Sequence, residues 1–126
     1  MDDEPFGDVV EATAPWEAAR LVAATGADPA WSGQADALAW EPIATVYATD
    51  GPRLPLPMLA LRSRPGAPAQ FVFDRSQLDG PPGLLAFVVS ASEGTREDIE
   101  ARVVAQAAGL GWTVRPLQTI VEKRAT

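Results

Sequence analysis

Asp74 and Arg75 are the charged pair best placed for chemistry, because they end the aromatic run Phe71-Val72-Phe73. A carboxylate beside a guanidinium at the end of an apolar strand fits two readings. It marks the rim of a ligand cavity, or it is an exposed pair at the end of a hairpin; the residue types favour the exposed pair. Phe71 and Phe73 lie two residues apart and so share a strand face, and Tyr47 joins them if its strand is adjacent. These three aromatics line an apolar cavity or form ordinary core beneath helices. Glu97, Asp98 and Glu100 read as the solvated start of a helix, where the dipole favours negative charge. Trp16, Trp31, Trp40 and Trp112 read as packing residues rather than as a ligand cage.

Much chemistry is excluded by residue type. There is no cysteine, which removes disulfides, thiolate catalysis and Cys-ligated metals. There is no histidine, which removes the Ser-His-Asp arrangement and the commonest transition-metal ligand. No metal is expected. The formal net charge of −7 argues against nucleic acid, whose phosphates need clustered Lys and Arg. Gly109-Leu110-Gly111 begins like a dinucleotide fingerprint but follows a helical pattern, and the third glycine position holds Val114. Gly80-Pro81-Pro82-Gly83 cannot cradle phosphate, since two of its four residues lack an N–H. From residue types alone the chain has no self-contained active site.

The elements that must position these residues follow from local pattern. Gln70 to Phe73 suits a half-buried strand, and Leu84 to Val89 is six apolar residues without a break, the signature of a strand covered on both faces. Prolines and glycines between them force a turn, which predicts a long antiparallel hairpin whose second strand is central. Ala37 to Thr49 predicts a strand entered at Pro42, with Ile43, Thr45 and Tyr47 on one face and Ala44, Val46 and Ala48 on the other. Met58 to Arg62 predicts a short edge strand, and Val114 to Lys123 a last strand. Asp8 to Ala12 predicts a short first strand. Thr13-Ala14-Pro15 opens a helix that Gly26 stops, with a capping hydroxyl nearby. Its stripe is Ala18, Leu21, Val22 and Thr25. Ala27 to Gln34 reads as a loop. Thr95 to Asp98 resembles a capping box, followed by Ile99, Val103, Ala107 and Leu110 at helical spacing, with Arg102 and Gln106 beside them. The 126 residues read as a single domain, α+β, with a mixed, mainly antiparallel sheet covered by two helices. No segment approaches the length of a membrane span, and the acidic start Met1 to Glu4 is unlike a secretory leader, so a cytoplasmic location is expected.

Several stretches together resemble a known family. Asp8-Val9-Val10-Glu11-Ala12-Thr13-Ala14-Pro15-Trp16 resembles the segment that leaves the flavin domain in flavin-dependent amine oxidases and their desaturase relatives. Trp40 to Tyr47 resembles the following strand. Gln70 to Leu78, Gly83 to Ser90 and Val121 to Thr126 are most similar to the squalene-associated FAD-dependent desaturases, also called hydroxysqualene dehydroxylases. The resemblance runs in order over nearly the whole chain. The sequence departs from the amine oxidases at one place: the lysine many of them carry near the flavin has Ala44 as its nearest match here. That suits a hydrocarbon substrate better than an amine.

The resemblance implies a substrate-side piece of a larger FAD-dependent oxidoreductase acting on a squalene-type isoprenoid in hopanoid biosynthesis. The family's strand–G-x-G-x-x-G–helix unit is not in this sequence. The start and the abrupt end at Thr126 are expected to be those of an excised segment. The chain alone is then inactive and binds no cofactor; FAD belongs to the parent enzyme. Its partners are the FAD-binding domain of the same parent and the apolar substrate, and peripheral membrane contact of the parent is open. Another member of the superfamily, with an amine, carotenoid or porphyrinogen substrate, or a non-catalytic binding module, is the alternative. Tyr47, Phe71, Phe73, Asp74 and Arg75 are the cavity candidates.

Overall fold

The structure is a computed structural model that describes residues 5–125. The chain divides into two compact units, residues 1–39 and residues 40–126.

The first unit is a helical pair preceded by irregular chain. Helix α1 spans Pro15–Thr25 and α2 spans Pro29–Asp36. Proline opens each, where its missing N–H costs nothing. Gly26 ends α1 in the left-handed conformation, with φ of 68°. The cap of α1 is Ala14, which has no side-chain bond to give, so the expected hydroxyl cap is not made. The second helix corrects the loop expected over residues 27–34. Asp28 caps it, accepting from the Trp31 N–H at 2.9 Å. Ala18, Ala19, Ser32 and Ala35 are the buried residues of the pair, and their small size allows close packing. The strand expected over residues 8–12 is not formed. Val9 and Val10 are 86% and 89% exposed, and a lone extended segment has no ladder to bury them.

The second unit is a five-stranded sheet with one helix packed on it. Strands β1 (Glu41–Thr49), β2 (Met58–Ala60), β3 (Phe71–Asp74), β4 (Leu85–Val89) and β5 (Arg115–Ala125) lie in the order β2-β3-β4-β1-β5. All four pairings among the described residues are antiparallel, so the parallel pair of a mixed sheet is not among them. The hairpin β3–β4 forms as its residues predict, and β4 is the middle strand. Helix α3 (Arg96–Gly109) follows β4 and packs across β1 and β5.

One sheet face makes the core. Ala44, Val46 and Ala48 of β1, Val72 of β3, and Leu85, Phe87 and Val89 of β4 are buried together with Ile99, Val103 and Ala107 of α3. The helical residues recur every four positions, which places them on one stripe; burying Ile99 and Val103 contributes about 1.5–3 kcal/mol each. Leu110 leaves that stripe: it is the C-cap residue and half exposed. Thr95 and Asp98 form the reciprocal capping box, and Gly111 turns the chain into β5. Glu100, expected to be solvated, accepts a 2.8 Å bond from the buried Thr119 hydroxyl and so ties α3 to β5.

Glutamine amides hold the hairpin ends. Gln70 spans to Ser90 with both ends of its amide. Gln106 on α3 accepts from the Ala69 N–H at 2.8 Å and donates to the Ala69 and Arg62 carbonyls. A buried extended chain with unpaired backbone groups is costly, and these side chains replace the missing ladder bonds.

Candidate functional site

Alternation along the strands sends Phe71 and Phe73 to the sheet face opposite α3, since Val72 between them is buried in the core. The ladder then fixes their neighbours. Phe73 lies between Met58 and Ala86, and Ala86 lies opposite Tyr47, which pairs with Gln118. One step along, Phe71 lies between Ala60 and Val88, followed by Thr45 and Ile120. Two cross-strand rows therefore cover this face, and they bring Tyr47, Phe71 and Phe73 together.

The face has relief. Ala86 is only 4% exposed although it is small, and it stands between Phe73 and Tyr47 on the adjoining strands. Strands are about 4.8 Å apart, so these two aromatics are about 10 Å apart across an alanine floor that continues to Val88. Met58 at one margin and Ile120 at the other are 46% and 48% exposed, and Phe71 is 38% exposed. No helix of this unit packs on the face, which is mainly apolar and partly exposed at Phe71, Met58 and Ile120. Tyr47 is the one aromatic there with a polar atom.

Asp74 is not part of this surface. Against the expectation of an exposed pair, it is 1% exposed and lies on the core side of β3. Its Oδ2 accepts from the Leu54 N–H at 2.9 Å and from the Gln77 amide at 2.7 Å. Its Oδ1 accepts from the Ser76 N–H at 3.1 Å and the Ser76 hydroxyl at 2.6 Å. Burial pushes this carboxyl up, but hydrogen bonds from Ser76, Gln77 and Leu54 outweigh it and hold the pKa at about 2. Asp74 is thus a structural anchor that pins the Leu54 segment to the end of β3. Arg75 starts the single turn of 3-10 helix over Arg75–Gln77 and is half-buried. Its carbonyl accepts from the Gly80 N–H at 2.7 Å, and a Cβ at position 80 would sit 2.7 Å from that oxygen, so only glycine fits.

The floor residues Ala86 and Val88 and the margins Met58 and Ile120 were not singled out by residue type. Hairpin register carries the signal for the first two, since Phe71 opposite Val88 fixes every other pair of β3 and β4.

Among the described residues, neither the passage at residues 109–111 nor the start of α3 is a dinucleotide-binding turn for FAD. Gly109-Leu110-Gly111 closes α3 at its C-terminal end and leads into a strand, the reverse of a dinucleotide-binding turn. The one strand–loop–helix passage, β4 to α3, has its helix start taken by the Thr95–Asp98 box, with Glu93 and Glu97 beside it. Acid at that position disfavours a pyrophosphate. Among the described residues no cluster of acidic side chains could hold a metal ion, and no helix is long and apolar enough to cross a membrane.

Neither a protein-family model nor a curated protein matches the chain.

Proposed function

We propose that this chain is the substrate-side part of an FAD-dependent oxidoreductase acting on a squalene-type isoprenoid, with the open sheet face as one wall of the cavity. The observation that supports this reading is the gathering of Tyr47, Phe71 and Phe73 around the Ala86–Val88 floor, on a face that carries few polar groups. A long hydrocarbon is recognised by area and shape, which such a surface offers. Redox chemistry in such an enzyme is the flavin's; the residues here bind, align the chain along β4 and exclude water.

The division of labour has a direct test. Purified chain incubated with FAD and desalted stays colourless on this reading; stoichiometric retention of flavin refutes it. In the parent flavoenzyme, Phe71→Ala and Phe73→Ala should lower turnover of the isoprenoid more than they lower stability. A second reading, a non-catalytic module that packs this face on another polypeptide, is favoured by the exposed Met58 and Ile120 at the two margins. It predicts no isoprenoid binding at all.

A further inference from the structure

A second cleft, off the β2 edge of the sheet, has a different chemistry. It lies between the chain leaving β2 and the last turns of α3 and measures about 360 Å³. That is near the lower end of small-molecule pockets, about 300–1,000 Å³. Arg62 and Arg64 line it, with Leu61, Ala67, Ala105 and Leu110 among its apolar walls, and no acidic residue lines it. The arginines are two residues apart in sequence, and Arg64 stands between this cleft and a neighbouring one that Ser63, Glu93 and Arg102 also line.

Three observations bear on what this exposed pair can hold. Neither guanidinium takes part in an ion pair among the described residues, a property shared with Arg53, Arg75, Arg96 and Arg102, so both are available to an anion. Their backbones are fixed: Arg64 exchanges 2.9 and 2.8 Å bonds with Ala67 across the Pro65-Gly66 turn, and the Arg62 carbonyl accepts from Gln106. The charge background also permits an anion. Residues 40–126 carry nine acidic and nine basic side chains, so the whole net charge of −7 sits in the first 39 residues.

We infer that this cleft binds an amphiphile with a phosphate or diphosphate head, the head bridging Arg62 and Arg64 and the apolar tail lying toward Leu61 and Leu110. Phosphate oxygens match the guanidinium forks, and a phosphate offers two arginines more acceptor oxygens and more charge than a carboxylate does. The C-terminal end of α3 brings about half a negative charge to the same wall, which the arginines must offset. The inference stands apart from the flavin reading, since the cleft shares only Ala60 with the open-face rows.

The test is a titration of the full chain with octyl phosphate below its micelle-forming concentration, read by amide chemical shifts. Saturable one-to-one shifts confined to residues 60–67 and 105–111 are expected. Arg62→Gln and Arg64→Gln should each weaken binding at least tenfold, with an unchanged melting curve because both side chains are exposed. Octanol and inorganic phosphate should each bind at least tenfold more weakly than octyl phosphate. Absent or non-saturable shifts, shifts elsewhere, or binding insensitive to either substitution overturn the inference. So does octanol or phosphate binding as tightly as octyl phosphate.

Discussion

The two faces of the sheet are built from alternate residues of the same strands, yet they do different things. On the α3 side Ala44, Val46, Val72, Leu85 and Phe87 are fully buried in the core that α3 shares with the sheet. On the other side Thr45, Tyr47, Phe73 and Val88 are half-buried and Phe71 is exposed. Both faces are apolar. One is closed by the chain itself; the other carries a similar residue set with no helix of its own unit upon it. An apolar residue in a strand thus indicates burial or binding only once its face is known.

The largest expected difference comes from truncating one aromatic on each face. Phe87→Ala removes a wholly buried ring whose centre is 6.5 Å from that of Trp112. It should cost about 3–5 kcal/mol, as buried Phe→Ala changes do. Phe71→Ala, next to the core residue Val72 but on the opposite face, should cost within about 1 kcal/mol, because its ring is already partly in water. Urea denaturation of both variants measures the contrast. Equal costs mean that the open face is core after all.

Asp74 sharpens the comparison with a polar residue on the closed face. Asp74→Ala leaves the buried Leu54 N–H without its partner and should cost about 1–3 kcal/mol. The native pKa of about 2 is below the ordinary 3.8, so the carboxylate stabilises the fold above the unfolded value. That contribution, on the order of 2 kcal/mol, is fully present above about pH 4 and is lost as pH falls through about 2. Stability of the native chain should therefore fall more steeply between pH 4 and pH 2 than that of Asp74→Asn. Parallel curves would mean the hydrogen-bonded cage holds no charge.

How far this was legible in the residues differs by region. The hairpin, β1, β5 and the Thr95–Asp98 box follow from local signals: alternation, an unbroken apolar run, and a capping pair three residues apart. The face shared by Tyr47, Phe71 and Phe73 was legible for the same reason. Helix α2 was hidden because Pro29, Ser32 and Gly33 look like breakers, while Asp28-Pro29 is in fact a start signal. The segment from Asp8 to Ala12 has a strand's residues without a neighbouring strand to pair with. Asp74 reads as exposed from its residue type because its partner Leu54 lies twenty residues earlier, which no local spacing reveals.

The smallest expected effect on the closed face concerns the helix that covers it. Thr95→Ala removes the acceptor of the Asp98 N–H, a 3.1 Å bond, and should cost about 1 kcal/mol. Hydrogen exchange should quicken in the first turn of α3 and leave Val103 protected. Loss of protection throughout α3 would mean the helix, not the sheet, is the weak layer of this unit.

The central claim is that the open face, and not the closed one, meets an isoprenoid. Amide and methyl shifts of the chain titrated with farnesol test it most directly. The account predicts saturable changes centred on Tyr47, Phe71, Phe73, Ala86 and Val88, abolished by Phe71→Ala with Phe73→Ala in a protein that still folds. No saturable change on that face, or changes confined to other residues, would contradict it.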